Sequence, residues 1–170
     1  MTPDSQAVYD TSREILSSLI SFQTISGTEN RQAMEWIASY AHRHAIRCER
    51  FATTYDDTLE QMILSIGPEG SGGLCFSGHL DVVPPQKHRW QSDPYVLTEI
   101  DGRLHGRGTC DMKGFLAILL ALLPRWNALP MRRPMHLLIT CDEEIGCKGV
   151  QDLLRNIDPQ RFRPDAIILG

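Results

Sequence analysis

Residues 112–140, MKGFLAILLALLPRWNALPMRRPMHLLIT, decide the fold class of this chain. The apolar run at residues 112–123 predicts a buried helix. We expect Pro124 to end this helix, because proline lacks the amide hydrogen that a helix interior needs. The second apolar run, at residues 135–140, predicts a buried strand. A helix followed by a buried strand is the repeating unit of layered α/β proteins.

The alternation of helices and strands continues on both sides of this stretch. A first helix begins near Pro3, where we expect Asp4 or Ser5 to cap the free amides. A second helix carries an apolar face from Met34 to Ala45. The remaining elements are strands at residues 61–66 and 74–77, a short strand at 104–105, a helix at 150–157 and a strand at 166–169. The pattern predicts an α/β domain with a largely parallel or mixed sheet flanked by helices.

Composition and charge exclude several classes of protein. Of the 170 residues, 42% are apolar and 22% are charged, which is the composition of a globular domain and excludes disordered and coiled-coil chains. The net charge of -4 argues against a broad basic face for nucleic acid or anionic lipid. The longest apolar run, residues 115–123, is far shorter than the roughly 20 residues of a membrane span. We therefore expect no nucleic-acid partner and no membrane association.

The cysteines and the first residues bear on the compartment. Five cysteines form an odd set at irregular spacing, which favours free thiols over a disulfide framework. The first residues show no basic segment followed by an apolar stretch, which would be typical of a secretory signal. These two observations predict a cytoplasmic protein.

Three polar clusters lie where predicted strands give way to loops. The first is SGHLDVVP at residues 77–84. His79 and Asp81 are two residues apart, so in an extended backbone both side chains point to the same face. A carboxylate in that position orients an imidazole and raises its basicity, as metal-bound histidines require. The alternative is a solvated loop with a chance His-x-Asp pair.

The second cluster, GRGTCDMKG at residues 106–114, presents Asp111 just before the buried helix. A glycine-rich loop before a helix is also typical of phosphate sites. The spacing does not match G-x-x-x-x-G-K-[ST], and the carboxylate of Asp111 would repel phosphate, so the phosphate interpretation is weak.

The third cluster, CDEEIG at residues 141–146, follows the strand at residues 135–140. In a near-extended backbone, Glu143 and Glu144 would face opposite ways, so one can bind a metal while the other acts as a base. The alternative is an acidic surface turn. Together with His79 and Asp111, these residues form a mixed imidazole and carboxylate set that suits Zn²⁺, or Co²⁺ or Mn²⁺ in its place. The other five histidines lack a carboxylate at motif spacing and are interpreted as structural or superficial: His42, His44, His88, His105 and His136.

The segments GHLDVVP, GRGTCDMKG and DEEIGCKG, in this order and spacing, resemble the M20 family of dinuclear zinc aminoacylases and exopeptidases. The resemblance implies two divalent metal ions, zinc with cobalt as a substitute, in a zinc-exopeptidase-like catalytic domain. It implies that His79 binds one metal, that Glu144 binds the other and that Asp111 bridges the two. It also implies that Glu143 is the general base, that Asp81 orients His79, and that the peptide bond after Asp111 is cis.

The same resemblance bears on the substrate. Residues 90–114 are most similar to family members that remove the acetyl group from an N-acetyl amino acid, so we expect a small N-acyl amino acid as substrate. Desuccinylases, other aminoacylases and dipeptidases of the family share the metal residues and stay open as alternatives. A non-catalytic module that binds a partner is the alternative from another class.

The resemblance also bears on completeness. It places residues 1–170 in the amino-terminal portion of the catalytic domain, without the lid or dimerisation domain through which the parent is expected to form a homodimer. Each metal would then have two protein ligands, whereas catalytic zinc normally has three. We therefore expect this chain to be a fragment that is inactive by itself, with an unpaired sheet edge and poor solubility.

Overall fold

A computed structural model describes residues 2–170. The helices are α1 (Pro3–Ser21), α2 (Arg31–Arg43), α3 (Gly114–Asn127) and α4 (Lys148–Asn156). The strands are β1 (Arg47–Ala52), β2 (Glu60–Ile66), β3 (Leu74–His79), β4 (Thr98–Ile100), β5 (Arg103–His105), β6 (Met135–Thr140) and β7 (Ala166–Leu169). A 3₁₀ turn at Lys87–Arg89 and an irregular helical segment at Thr109–Lys113 complete the elements.

Five strands form one mixed sheet in the order β1-β2-β6-β3-β7. β2 pairs antiparallel with β1 and β6, whereas β3 pairs parallel with β6 and β7. The short strands β4 and β5 form a separate hairpin. The predicted α/β class with a mixed sheet is therefore confirmed, and the carboxyl ends of three parallel strands meet at one edge.

The core lies on both faces of the sheet because the strand side chains alternate. Met62 and Leu64 of β2 belong to a large apolar cluster with residues of α1, α2 and α3. Ile63, on the opposite face of the same strand, belongs to a smaller cluster with Leu138 and with Leu153 of α4. This alternation, of period two, buries β2 and β6 on both sides and fixes their register.

The first helix begins at a different cap from the predicted one. The hydroxyl of Thr2 accepts a hydrogen bond from the main-chain amide of Ser5 at 3.2 Å, so Thr2 is the cap and Asp4 and Ser5 lie inside α1. Pro3 occupies the first helical position, where a missing amide hydrogen costs nothing. The prediction of Asp4 or Ser5 as the cap was wrong because it overlooked this preference of proline.

The prediction that Pro124 ends the buried helix was also wrong. α3 continues through Pro124 to Asn127. Pro124 cannot donate to the carbonyl of Leu120, four residues earlier, and that carbonyl accepts instead from the hydroxyl of Tyr40 in α2, at 3.0 Å. A donor from a neighbouring helix thus satisfies the carbonyl that the proline leaves free.

Two further expectations concern the whole chain. Within residues 2–170, all five cysteines are free. No helix among these residues has both the length and the apolar character needed to cross a bilayer.

Candidate metal centre

The candidate site lies at the sheet edge where β3 and β6 end. His79 is the last residue of β3, and it lies opposite Thr140, the last residue of β6. Glu143 and Glu144 follow β6, and Asp111 lies in the irregular segment before α3. In open α/β sheets the carboxyl ends of parallel strands are where functional groups gather. The structure therefore brings the three predicted clusters together.

Three of the predicted side chains form a compact donor set. One donor atom each from His79, Asp111 and Glu144 lie within 4.8 Å of one another. Nε2 of His79 is 3.0 Å from Oδ1 of Asp111 and 3.7 Å from Oε2 of Glu143. One imidazole and two carboxylates are a donor set that suits a borderline cation such as zinc.

The turn after β6 differs from the near-extended conformation that we expected. Asp142 has a positive φ of 54°, and the amides of Gly146 and Cys147 both donate to the carbonyl of Glu143. Glu143 and Glu144 therefore lie in a tight turn, and both carboxylates stay at the His79 edge of the sheet. The expectation of opposite faces was wrong because the chain must reverse here to pack α4 onto the sheet.

Asp81 connects the loops around the site. Its side chain is 4% exposed. One carboxylate oxygen accepts from the amide of Glu143 at 3.1 Å, and the other accepts from the hydroxyl of Ser26 at 2.6 Å and the amide of Glu144 at 3.3 Å. Because charge-assisted hydrogen bonds are strong, this buried carboxylate fixes the glutamate turn relative to β3.

Asp81 also sets the orientation of His79. Nδ1 of His79 is 3.0 Å from the main-chain carbonyl of Asp81 and 3.4 Å from its carboxylate. Both of these groups only accept, so Nδ1 carries a proton and Nε2 faces Asp111. Burial acts to lower the pKa of His79, but the hydrogen bonds and charge of Asp81, together with Asp111, raise that pKa to about 9.

The other acidic groups respond to the same surroundings. Burial acts to raise the pKa of Asp81, yet its bonds from His79, Ser26 and the Glu143 amide bring that pKa below its usual value. Partial burial raises the pKa of Glu144, and the nearby charge of Asp111 raises it further. A divalent cation would stabilise these carboxylates, which repel each other, and would take the place of the proton on Nε2 of His79.

Residues 24–27, which follow α1, hydrogen-bond to the loops that carry the site. Thr24 donates through its hydroxyl to the carbonyl of Leu80 at 2.8 Å, and the amide of Gly27 donates to buried Asp142 at 2.7 Å. The hydroxyl of Tyr55 binds the other oxygen of Asp142 at 3.0 Å. No motif in the sequence singles out Gly27 or Asp142, because their partners lie far away in the chain.

The segment that carries Asp111 has the expected cis peptide bond, between Asp111 and Met112. The next residue, Lys113, is fully buried, and no sequence motif singles out this position. Its Nζ donates to the main-chain carbonyls of Leu19 and Phe22, at 2.8 Å each. Burial lowers the pKa of Lys113 to about 7, although the charge of Asp81 opposes this change.

The donor set opens into a cleft of about 440 Å³, lined among others by Thr140, Glu143 and Leu169. A family profile described as peptidase family M20/M25/M40 matches residues 75–170, which include this cleft and the three donor residues. The chain belongs to this family.

Curated M20 relatives extend the match beyond the profile. The acetylornithine deacetylase of Pasteurella multocida (strain Pm70) is 32% identical over 163 residues, which cover 92% of this chain and 42% of the relative. The acetylornithine deacetylase of Shigella sonnei (strain Ss046) is 35% identical over the same length, with the same coverage. The chain therefore spans about two fifths of the length of these curated relatives.

Solved structures of the M20 fold agree with the architecture. Human carnosine dipeptidase 1 is similar with a TM-score of 0.75 and 24% identity, over 97% of this chain and 40% of that protein. The M20 family metallo-carboxypeptidase Sso-CP2 from Sulfolobus solfataricus is similar with a TM-score of 0.74 and 21% identity, over 93% of this chain and 36% of that protein. The predicted zinc-exopeptidase-like fold is therefore confirmed.

Proposed function

We propose that this chain carries the metal ligands and the general base of an amide hydrolase that removes the acetyl group from N2-acetyl-L-ornithine, a step of arginine biosynthesis. The observation that carries the proposal is the convergence of His79, Asp111 and Glu144 within 4.8 Å, with Asp81 buried behind them. The acetylornithine deacetylases that match most of this chain support the choice of substrate. The products are ornithine and acetate.

The metal would be held by the side chains of His79, Asp111 and Glu144. Zinc fits this mixed donor set, and cobalt fits it as a substitute. We propose two ions that share Asp111, so that His79 belongs to one and Glu144 to the other. When bound, the metal supplies Lewis acidity to the acetyl carbonyl and lowers the pKa of water.

Glu143 is proposed as the general base. Its carboxylate is half-exposed in the cleft, with Oε2 at 3.7 Å from Nε2 of His79, so it lies beside the donor set. Glu143 takes a proton from the water that attacks the acetyl carbon. As the carbon–nitrogen bond breaks, Glu143 returns this proton to the departing amine. Asp81 contributes by holding His79 and the glutamate turn, and it does not exchange protons itself.

The ligand count bears on activity. Two ions that share three donors would have two protein ligands each, and catalytic zinc normally has three. We propose that residues 1–170 form the amino-terminal portion of the catalytic domain and are inactive or nearly inactive alone. We also propose that the active form is a cytoplasmic homodimer that gains its remaining ligands and a lid from further sequence.

Metal binding tests the centre. Zinc is titrated calorimetrically into the chain, its His79→Ala and Glu144→Gln variants, and a His105→Ala control, which removes an exposed histidine of β5. We expect each site variant to lose the ion that its residue binds, which lowers the number of zinc ions bound, and the control to bind zinc as the unchanged chain does. Zinc binding of unchanged affinity and stoichiometry in both site variants would place the metal elsewhere.

Hydrolysis tests the substrate. The chain and the full-length Shigella sonnei relative are assayed side by side with N2-acetylornithine, N-succinyl-diaminopimelate and a dipeptide. We expect turnover of acetylornithine by the relative and little by this chain. Strong metal-dependent turnover by this chain would contradict its proposed inactivity, and a preference of this chain for either other substrate would contradict the proposed reaction.

A further inference from the structure

Lys113 is a fully buried amine with no part in the chemistry proposed above. A buried amine is costly unless its hydrogens are bonded, and two of them donate to the carbonyls of Leu19 and Phe22. Both the charged and the neutral amine have at least two hydrogens, so these bonds do not depend on the protonation state. Lys113 thus joins the Asp111 segment to the end of α1.

The end of α1 needs such a donor. Helix ends leave carbonyls without partners and carry partial negative charge, and α1 has no basic residue in its last turn. Lys113, more than 90 residues later, donates to the carbonyl of Leu19 and to the carbonyl of Phe22, which also accepts from the amide of Thr24 at 3.0 Å. After Phe22 the chain leads directly to Ser26, which binds Asp81. The contact of Lys113 with the end of α1 therefore also helps to fix residues 24–27, which hydrogen-bond to the loops of the site.

The glycines of the second cluster make room for this connection. A Cβ at Gly108 would lie 2.8 Å from Cγ1 of Val82 and 3.2 Å from Cδ of Lys113. A Cβ at Gly106 would lie 3.0 Å from Cγ2 of Ile20 in α1. The amide of Lys113 donates to the carbonyl of Gly108 at 2.8 Å, which closes the loop around the lysine stem.

Asp111 depends on its neighbours for its position. Its side chain is 71% exposed, and among residues 2–170 it makes one hydrogen bond, with Nε2 of His79. The next two residues are both buried: Met112 accepts from the amide of His79 through its sulfur at 3.2 Å, and Lys113 reaches α1. An exposed ligand is thus followed by two buried residues, one bonded to β3 and the other to the end of α1.

We propose that Lys113 is a positioning residue that fixes Asp111 for metal binding by tying the Thr109–Lys113 segment to the end of α1. The inference rests on the proposed metal role of Asp111. It gives Lys113, in the second cluster, a role in positioning a metal ligand. From the sequence, the alternative function for this cluster was a phosphate site, and that interpretation was weak.

Cobalt binding, measured calorimetrically, tests the inference. Lys113→Met keeps the stem and removes the donors, and Tyr40→Phe is the matched control because it removes another buried donor to a main-chain carbonyl far from the site. We expect Lys113→Met to weaken Co²⁺ binding about tenfold or more, as loss of an outer partner of a metal ligand does. Tyr40→Phe should leave Co²⁺ affinity unchanged.

Amide hydrogen exchange of the metal-free protein provides a second readout. Lys113→Met should speed exchange at Thr109–Lys113 more than in the sheet, and Tyr40→Phe should not. If Lys113→Met does not fold, Lys113→Arg takes its place, with a smaller loss of Co²⁺ affinity and the same local change in exchange.

Two results would overturn the inference. One is a Lys113 variant that binds Co²⁺ as tightly as the unchanged chain, and the other is an equal loss of affinity in the Tyr40→Phe control. If the unchanged chain takes up no Co²⁺, the proposed metal centre fails and exchange alone decides the role of Lys113. Faster exchange confined to Thr109–Lys113 would then support it, and faster exchange throughout the chain would overturn it.

Discussion

Asp81→Asn is the most informative single change, because the carboxylate of Asp81 only accepts hydrogen bonds. The amides of Glu143 and Glu144 donate to different oxygens of this carboxylate. An asparagine has one acceptor oxygen, so either orientation of its amide points NH₂ at a main-chain N–H. The substitution therefore leaves at least one buried donor without a partner.

The structure gives the size of the expected effect. An orphaned buried donor costs about 1–3 kcal/mol, and hydrogen bonds to a charged group are stronger than neutral ones by about 1 kcal/mol each. We therefore expect Asp81→Asn to lower the free energy of unfolding of the metal-free chain by about 2–4 kcal/mol. Zinc affinity should fall about 10- to 100-fold, because the charged carboxylate that helps the main-chain carbonyl to orient His79 is lost.

Urea unfolding followed by circular dichroism measures the first quantity, and calorimetry measures the second. Asp165→Asn is the control, because it also removes a carboxylate that accepts a main-chain amide, that of Gly73 at 2.8 Å, but at an exposed position away from the donor set. The control should bind zinc as the unchanged chain does. An Asp81→Asn variant with the same urea midpoint and the same zinc affinity would refute the reasoning.

Three further changes test other parts of the structure. Tyr40→Phe should lower the free energy of unfolding by about 1–3 kcal/mol in urea, because the carbonyl of Leu120 then has no donor; an unchanged midpoint would contradict this role. Gly149→Ala should cost about 1–3 kcal/mol or more in the same assay, because its Cβ would lie 2.2 Å from the carbonyl oxygen of Cys141; a fully stable variant would be the contrary result. The pKa of His136 is lowered from 6.5, first by burial and second by the positive charge of Arg47. The unfolded chain therefore binds a proton that the folded protein does not, and the stability falls as the pH drops below 6.5. The His136→Gln variant should therefore lose less stability than the unchanged chain between about pH 7.5 and about pH 5.5, and parallel losses would argue against this role.

Local patterns were sufficient to predict the four helices and the strands β2, β3, β5, β6 and β7, but β1 and β4 were not predicted. Because parallel strands end at a common edge, position after a strand predicts that His79 and Glu144 lie close together. Asp111 lies before α3 and follows the separate β4–β5 hairpin, so its place in the set rested on the residue types of the three clusters. The roles of these residues remain predictions that the experiments above address.

Contacts between distant parts of the chain explain what the sequence did not predict. Tyr40 lets α3 pass through Pro124, and the two residues lie in different helices. Lys113 reaches the end of α1, and Asp142 binds Gly27 across 115 positions of sequence. No local periodicity encodes such partners, so the helix end and the supporting contacts of the site were visible only in three dimensions.

The contacts of Asp81 have a consequence for how the protein is made. Ser26 precedes Asp81 by 55 positions and Glu143 follows it by 62, and both must be in place before the carboxylate is satisfied. During synthesis, the ligands therefore cannot assemble until the ribosome has released both helices at the start of the chain and the turn after β6. Before these parts of the chain have folded together, a metal ion has no complete site to bind, in contrast to small zinc domains in which metal binding drives folding.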